Sequence, residues 1–209
     1  NGVNLDQFRR LERVSSSLIE TWGWTDKFIV AYIGTHGECQ KLETVLAAAR
    51  HCATDTKFLN VRFLFVGDGS QRKNLGEMAN DLSNVKFVNQ VPKDDIIEYW
   101  SVAHVSIAHL IDHEMFKSVI PSKIFECMAM EVPIILGIEG EAKEIILNNN
   151  VGVTFKPEDH LGLVDCIDLL MKDVNLYSEL KKNCRLTAVQ FDRNDLATKM
   201  LSHLEGVIS

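Results

Sequence analysis

What the sequence does without narrows its chemistry first. There is no basic tract: 22 lysines and arginines stand against 29 acidic residues, for a net charge of −7. Nucleic acid is therefore not an expected partner, because backbone phosphates are held by clustered cations. No apolar run approaches the roughly 20 residues of a spanning helix, and no leader pattern is visible. The five cysteines (Cys39, Cys52, Cys127, Cys166, Cys184) are odd in number and widely spaced, with no C-x-x-C. They predict buried thiols in a reducing, cytoplasmic compartment rather than a disulfide frame or a zinc site. The histidines form no H-E-x-x-H; His109 and His113 are four apart, but in a segment that reads as loop. No metal is expected. G-x-S-x-G, G-x-G-x-x-G and P-loop signatures are all missing, as are repeats and low-complexity stretches.

What is present is alternation. The chain has 209 residues, 46% of them hydrophobic, enough for one sizeable core. Strand-like runs fall at 28–33, 61–66, 85–88, 105–108, 132–138 and 151–155, and most carry apolar residues on both faces. Helical spacing fills the intervals: Leu42, Val45, Leu46 and Ala49, then Leu75, Met78, Ala79 and Leu82, then a start at Pro92 to Asp95 leading into Ile96, Ile97, Tyr99 and Trp100. From about Asp159 onward the chain reads as three helices. The alternation predicts an α/β fold, a Rossmann-like doubly wound parallel sheet covered by helices on both sides. Ligands on such sheets sit at the carboxyl ends of the strands. Leu42, Val45, Leu46, Met128 and Met130 are expected in the core.

The most informative segment is Ile120-Pro121-Ser122-Lys123-Ile124-Phe125-Glu126-Cys127-Met128-Ala129, followed by the apolar Val132 to Leu136. It reads as loop, short helix, strand. Pro121 and Ser122 suit a first helical turn. Lys123 in that turn opposes the helix dipole, unless an anion such as a diphosphate docks there. Glu126 is either a ligand for sugar hydroxyls or a carboxylate that complements the dipole. Gly34-Thr35-His36-Gly37 after the first strand is either a tight turn or a loop that approaches phosphate closely. Gly67-Asp68-Gly69 after the second offers the same choice. Gly137 to Glu141, with Glu139, Gly140 and Glu141, suits either sugar hydroxyls or a capped helix start. His36 and His109 fall near these loops and are either site groups or structural imidazoles.

Taken together in order, the pieces resemble the C-terminal, donor-binding domain of a GT-B glycosyltransferase of family 4 (group 1). Asn1-Gly2-Val3-Asn4-Leu5-Asp6-Gln7-Phe8 resembles its interdomain linker, N-G-V-D-x-x-x-F. Tyr32-Ile33-Gly34 resembles its first glycine loop, and Phe65 to Gly69 its V-G-D-G turn. Asn84 to Val88 with Val91-Pro92 resembles N-V-x-F-x-G-x-V-P. Phe125 to Ala129 with Val132 to Ile135 resembles L-E-A-M-A-x-G-x-P-V-I, while Glu144 to Ile146 and Asn150 to Gly152 resemble the segments beyond it. Pro121-Ser122-Lys123 is similar to a subset of bacterial enzymes that build surface polysaccharides on lipid carriers.

The resemblance implies a division into linker and lead-in helix at 1–25, donor domain at 26–191 and C-terminal helix at 192–209. It places the donor diphosphate at Gly34, Thr35, His36, Gly37, Ser122 and Lys123, the ribose on Glu126, and the base at Asn89, Gln90, Val91 and Pro92. Gly67, His109, Glu139, Gly140 and Glu141 would fall near the donor sugar. Three family charges are missing: the first Glu of E-x7-E falls at Ser118, and the Arg and Lys of G-R-x-x-x-x-K-G fall at Thr35 and Gln40. The expectation is retaining transfer from a nucleotide diphosphate sugar, a UDP-sugar by preference, to a lipid-linked or polysaccharide acceptor. No cofactor is expected. An acceptor domain would precede this one, the enzyme would sit at the inner face of a bacterial plasma membrane, and the domain alone would not turn over. A GT-B nucleotide-sugar epimerase and a non-catalytic nucleotide-binding module are the alternatives.

Overall fold

The computed structural model describes residues 2–9 and 16–208. Residues 1 and 10–15 of the expected linker and lead-in, and Ser209, lie outside the described residues. Six strands form a single sheet: β1 (Phe28–Ile33), β2 (Val61–Val66), β3 (Val85–Val88), β4 (Val105–His109), β5 (Ile134–Gly137) and β6 (Gly152–Thr154). All pairs are parallel, in the order β3-β2-β1-β4-β5-β6. The chain winds outward from β1 to one edge and then from β4 to the other, so a crevice opens between β1 and β4. The register widens it. β1 pairs with β2 along all six residues, from Phe28↔Val61 to Ile33↔Val66, but meets β4 only at Val30↔Val105 and Ala31↔Ser106. The two central strands therefore part toward their carboxyl ends.

Each strand divides its side chains between two cores, as the two-residue period requires. Ile29, Ala31 and Ile33 enter one, while Val30 and Tyr32 enter the other. The second core is covered by α2 (Glu43–Thr54), α3 (Arg72–Met78) and α7 (His160–Lys172). The first is covered by α4 (Ile96–Val102), α5 (Lys123–Ala129) and α6 (Glu141–Asn148), with Cys184 and Ala188 of α8 (Val174–Ala188). Burial on both faces accounts for the continuous apolar strands. Leu42, Val45, Leu46, Met128 and Met130 are all buried, as expected.

The amino-terminal segment packs into the same body. Val3, Phe8 and Trp24 are buried in the first core, beside α1 (Ser16–Thr21). Val3 pairs with Asp192, just before α9 (Arg193–Ile208), and Arg193 donates through Nε to the Gly2 carbonyl at 2.8 Å. Among the described residues no helix is long and apolar enough to cross a membrane.

Some expectations need correction. The expected strands at 132–138 and 151–155 are shorter, because Val132 and Val151 are used in the turns that lead into β5 and β6. The helix expected through Leu82 stops at Met78, which is exposed, while Leu82 is buried from the turn that follows. Cys39 is exposed in a 3-10 turn at Glu38–Gln40; the other four cysteines are buried.

Candidate functional site

The loops after β1 and β2 are stitched together by backbone. Gly34 N–H donates to the Val66 carbonyl at 2.9 Å, His36 N–H to Asp68 at 2.8 Å, and Gln71 N–H to His36 at 2.9 Å. Glycine is required at the crossing. Gly67 has φ +138°, and a Cβ there would lie 2.0 Å from the Gly34 carbonyl oxygen. No other residue tolerates both that dihedral and that approach.

Beside these loops lies a cleft of about 460 Å³ at the carboxyl ends of β1 and β2. From the expected site residues it takes Gly34, Thr35, Gly67, Gln90, Val91, Ser122, Lys123 and Glu126. α5 begins at Lys123 itself, and the Ser122 hydroxyl makes no capping bond. The lysine side chain leaves the helix end: its Nζ sits 3.6 Å above the centre of the Tyr32 ring. That removes the conflict with the helix dipole, which in any case is small for a seven-residue helix. Burial pushes the Lys123 pKa down to about 8, opposed by Cys127 and Glu126. Glu126 is raised above the ordinary carboxylate range by burial, opposed by the Trp100 indole, Lys123, Lys93 and Arg193. The Trp100 N–H lies against this carboxylate without forming a well-angled hydrogen bond.

Other expected site residues are placed elsewhere. His36 is fully buried beneath the glycine loops, among Tyr32, Phe65 and Phe87, with neither ring nitrogen hydrogen-bonded. Burial, Arg72 and Lys123 hold its pKa down at about 4, against Asp68. Gly37 donates its N–H to Gln40 Oε1 at 3.0 Å, closing a local turn. Asn89 Oδ1 faces Arg72 at 3.4 Å, and neither Asn89 nor Pro92 lines the cleft. His109 is an interior staple. Its Nδ1 meets the Gln40 carbonyl at 2.8 Å and its Nε2 accepts from Glu158 N–H at 2.9 Å, which fixes the neutral Nδ1–H tautomer. Glu139 pairs with Lys143 at 3.0 Å. Gly140 and Glu141 open α6 as a helix start, with Glu141 N–H bonded to the Lys117 carbonyl at 2.8 Å.

The cleft also holds residues the sequence did not single out as site groups. Phe8 of the linker-like motif and Asp68 of the V-G-D-G turn line it, and Lys93 brings a second cation. Each lies next to or inside a quoted motif, so proximity was the available signal. Tyr32, though it opens the quoted Tyr32-Ile33-Gly34 motif, reads as a buried strand residue, and Trp100 reads as core. Among the described residues no group of three or more His, Cys, Asp or Glu comes together as a metal site.

The profile of a family described as Glycosyl transferases group 1 matches residues 17–187. No curated protein matches the sequence significantly. Among solved structures, HepE from Anabaena, crystallised with UDP-glucose, is similar over 99% of this chain and 56% of its own, with TM-score 0.83 and 19% identity. A glycosyltransferase from Rickettsia africae is similar over 100% and 56%, with TM-score 0.79 and 21% identity. The C-terminal domain of the group 1 glycosyl transferase LpcC from Francisella tularensis is similar over 92% and 100%, with TM-score 0.72 and 16% identity. These likenesses establish the fold as that of one half of a GT-B glycosyltransferase, and the chain spans about half the length of the first two. Through the match over residues 17–187, this chain belongs to the group 1 glycosyl transferases.

Proposed function

We propose that this chain is the donor-binding half of a two-domain glycosyltransferase. The donor is a nucleotide diphosphate sugar, a UDP-sugar by preference, and a preceding domain holds a lipid-linked or polysaccharide acceptor at the inner face of the plasma membrane. Transfer is retaining, as the family resemblance implies. The observation that carries this reading is Lys123: a partly buried ammonium, with no carboxylate at ion-pair distance among the described residues, placed beside the Gly34 loop at the switch point of the sheet. A cation left without a counter-charge in a cleft favours an anion. HepE, which shares the fold, was crystallised with UDP-glucose. In this assignment the diphosphate lies against Gly34, Thr35 and Lys123, the ribose on Glu126, and the base beside Gln90 and Val91.

As the bond from sugar to diphosphate breaks, negative charge grows on the departing phosphate. Lys123 is positioned to stabilise it without reorganising. Acceptor-binding groups and a catalytic residue belong to the preceding domain, so this chain binds the donor but does not turn it over. The epimerase alternative needs free acid–base groups near the sugar. His109 has both nitrogens engaged and Glu139 is paired with Lys143, which weighs against it.

Thermal shift and calorimetry on the 209-residue chain test the proposal. UDP is expected to raise the melting temperature by mass action, uridine to do so far less, and GDP to bind more weakly than UDP. Equal affinity for UDP and uridine would overturn the diphosphate assignment; tighter binding of GDP would overturn the base.

A further inference from the structure

The route of the Lys123 side chain is unusual. α5 packs on the face of the sheet that carries Ile29, Ala31 and Ile33, whereas Tyr32 points to the opposite face. The lysine nevertheless reaches the Tyr32 ring, 3.6 Å from its centre. It passes the end of β1 where residue 34 has no side chain: a Cβ on Gly34 would lie 2.9 Å from Lys123 Nζ and 3.2 Å from its Cε. The ring itself is fixed. It is fully buried, and its hydroxyl donates to the Thr35 carbonyl at 2.7 Å. Two features of the glycine loop, a missing side chain and an accepting carbonyl, thus serve one contact.

We propose that Tyr32 is a positioning residue of the donor site, its ring seating the Lys123 ammonium where the diphosphate is bound. This deepens, and rests on, the diphosphate reading of Lys123. An aromatic seat suits the task better than a carboxylate would. The ring's negative face attracts the ammonium and favours its protonated form, yet leaves the full positive charge for an arriving anion. A carboxylate seat would neutralise that charge and would have to be displaced. The arrangement also answers the loss of the family's first-loop cations at Thr35 and Gln40: the charge comes from α5, and the first loop and strand supply the passage and the seat.

The test changes the ring's charge distribution and not its shape. Phenylalanine and 3,4,5-trifluorophenylalanine are placed at position 32 of the chain, in the parent and in a Lys123→Met background. Tyr32→Phe is expected to fold and to bind UDP within about threefold of the parent, because the aromatic face remains. The trifluoro variant, whose ring face no longer attracts a cation, is expected to bind UDP about fivefold or more weakly than the Phe variant, with uridine binding unchanged. As pH is raised, its UDP affinity is expected to be lost earlier than that of the Phe variant, since the ammonium is held less firmly in its charged form. In the Lys123→Met background the two rings are expected to bind UDP equally. If trifluoro and Phe variants bind UDP alike while Lys123→Met is still weakened, the positioning role is wrong and the diphosphate reading stands. If Lys123→Met binds UDP like the parent, both fall.

Discussion

At the amino ends of the strands a groove of about 660 Å³ runs past Ile19, Trp24, Lys27, Phe28, Asn60 and His104; at the carboxyl ends the cleft beside Lys123 is smaller, about 460 Å³. Volume alone would choose the first. The polar groups reverse the choice. In the amino-end groove Lys27 donates to Asn60 Oδ1 at 3.2 Å, and His104 Nδ1 accepts from Ile29 N–H at 3.1 Å. In the carboxyl-end cleft, Lys123 rests on a ring instead of a counter-ion. Groups left in that state cost free energy unless something arrives to use them. Gly34, Gly67 and Gly69, all at positive φ, lie on the same side and let the loop backbones approach closely. Unmet electrostatic demand, and not size, therefore separates a site from a groove in this molecule.

The largest expected effect breaks the carboxyl-end loops themselves. Gly67→Ala puts a methyl group 2.0 Å from the Gly34 carbonyl oxygen at φ +138°. Strained backbone and overpacking together are expected to cost about 3 kcal/mol or more in urea unfolding. A loss below about 1 kcal/mol would show that the two loops part easily, and the rigid side of the comparison would fail.

Lys123→Met comes next. UDP binding is expected to weaken by about 1.5–3 kcal/mol, the worth of a charge-assisted hydrogen bond, with uridine little affected in calorimetry. pH gives a second handle with opposite signs for folding and binding. The folded-state pKa of about 8 lies below the ordinary lysine value of 10.5. The unfolded chain therefore holds the proton more tightly between those values, and ligand-free stability should rise with pH across that window. UDP affinity should fall as pH rises through about 8, because the ammonium is being lost. The variant should show neither trend. Parallel slopes in parent and variant would remove Lys123 from the site.

How far these features were legible in the sequence depends on what encodes them. The strand cores were plain, since a parallel sheet buried on both faces writes itself as continuous apolar runs, and β1, β2 and β3 fall where their runs do. The glycine turns and the Pro121-Ser122-Lys123 block were visible as local irregularities in that pattern. Tyr32 was not, because an aromatic residue in a buried strand is indistinguishable from core until another element brings a cation to its face. His36 and His109 show the same limit from the other side. Both lie near loops in sequence, yet burial among rings takes one, and bonds to the Gln40 carbonyl and Glu158 N–H take the other. Side-chain direction at a strand end is decided by tertiary packing, which sequence spacing does not record.

Glu126→Gln sharpens the comparison with a smaller effect. Burial raises the Glu126 pKa, so its charged form is disfavoured by folding. Above that pKa the parent carries a cost that the glutamine lacks, and parent stability relative to the variant should decline as pH rises through it. At neutral pH the variant should melt at or slightly above the parent temperature. UDP binding should nevertheless weaken about tenfold, or 1.4 kcal/mol, through loss of the ribose acceptor. A variant that binds UDP normally would make the carboxylate a helix residue only.

The smallest expected effect is the control at the other edge. Lys27→Met removes the exposed bond to Asn60 Oδ1 and nothing else polar in the amino-end groove. Surface bonds of this kind contribute little, so stability should change by no more than about 0.5 kcal/mol. UDP affinity should not change at all, since Lys27 already has a hydrogen-bond partner and the diphosphate is assigned to the opposite ends of the strands. Lys27 and Lys123 are both cations beside a cavity, and the larger cavity is the one beside Lys27. Calorimetry of the two Lys→Met variants side by side is therefore a direct trial of whether pairing state or size marks the site. If Lys27→Met weakened UDP binding as much as Lys123→Met, the nucleotide would not be confined to the switch point, and hydrogen-bond satisfaction would have been the wrong guide.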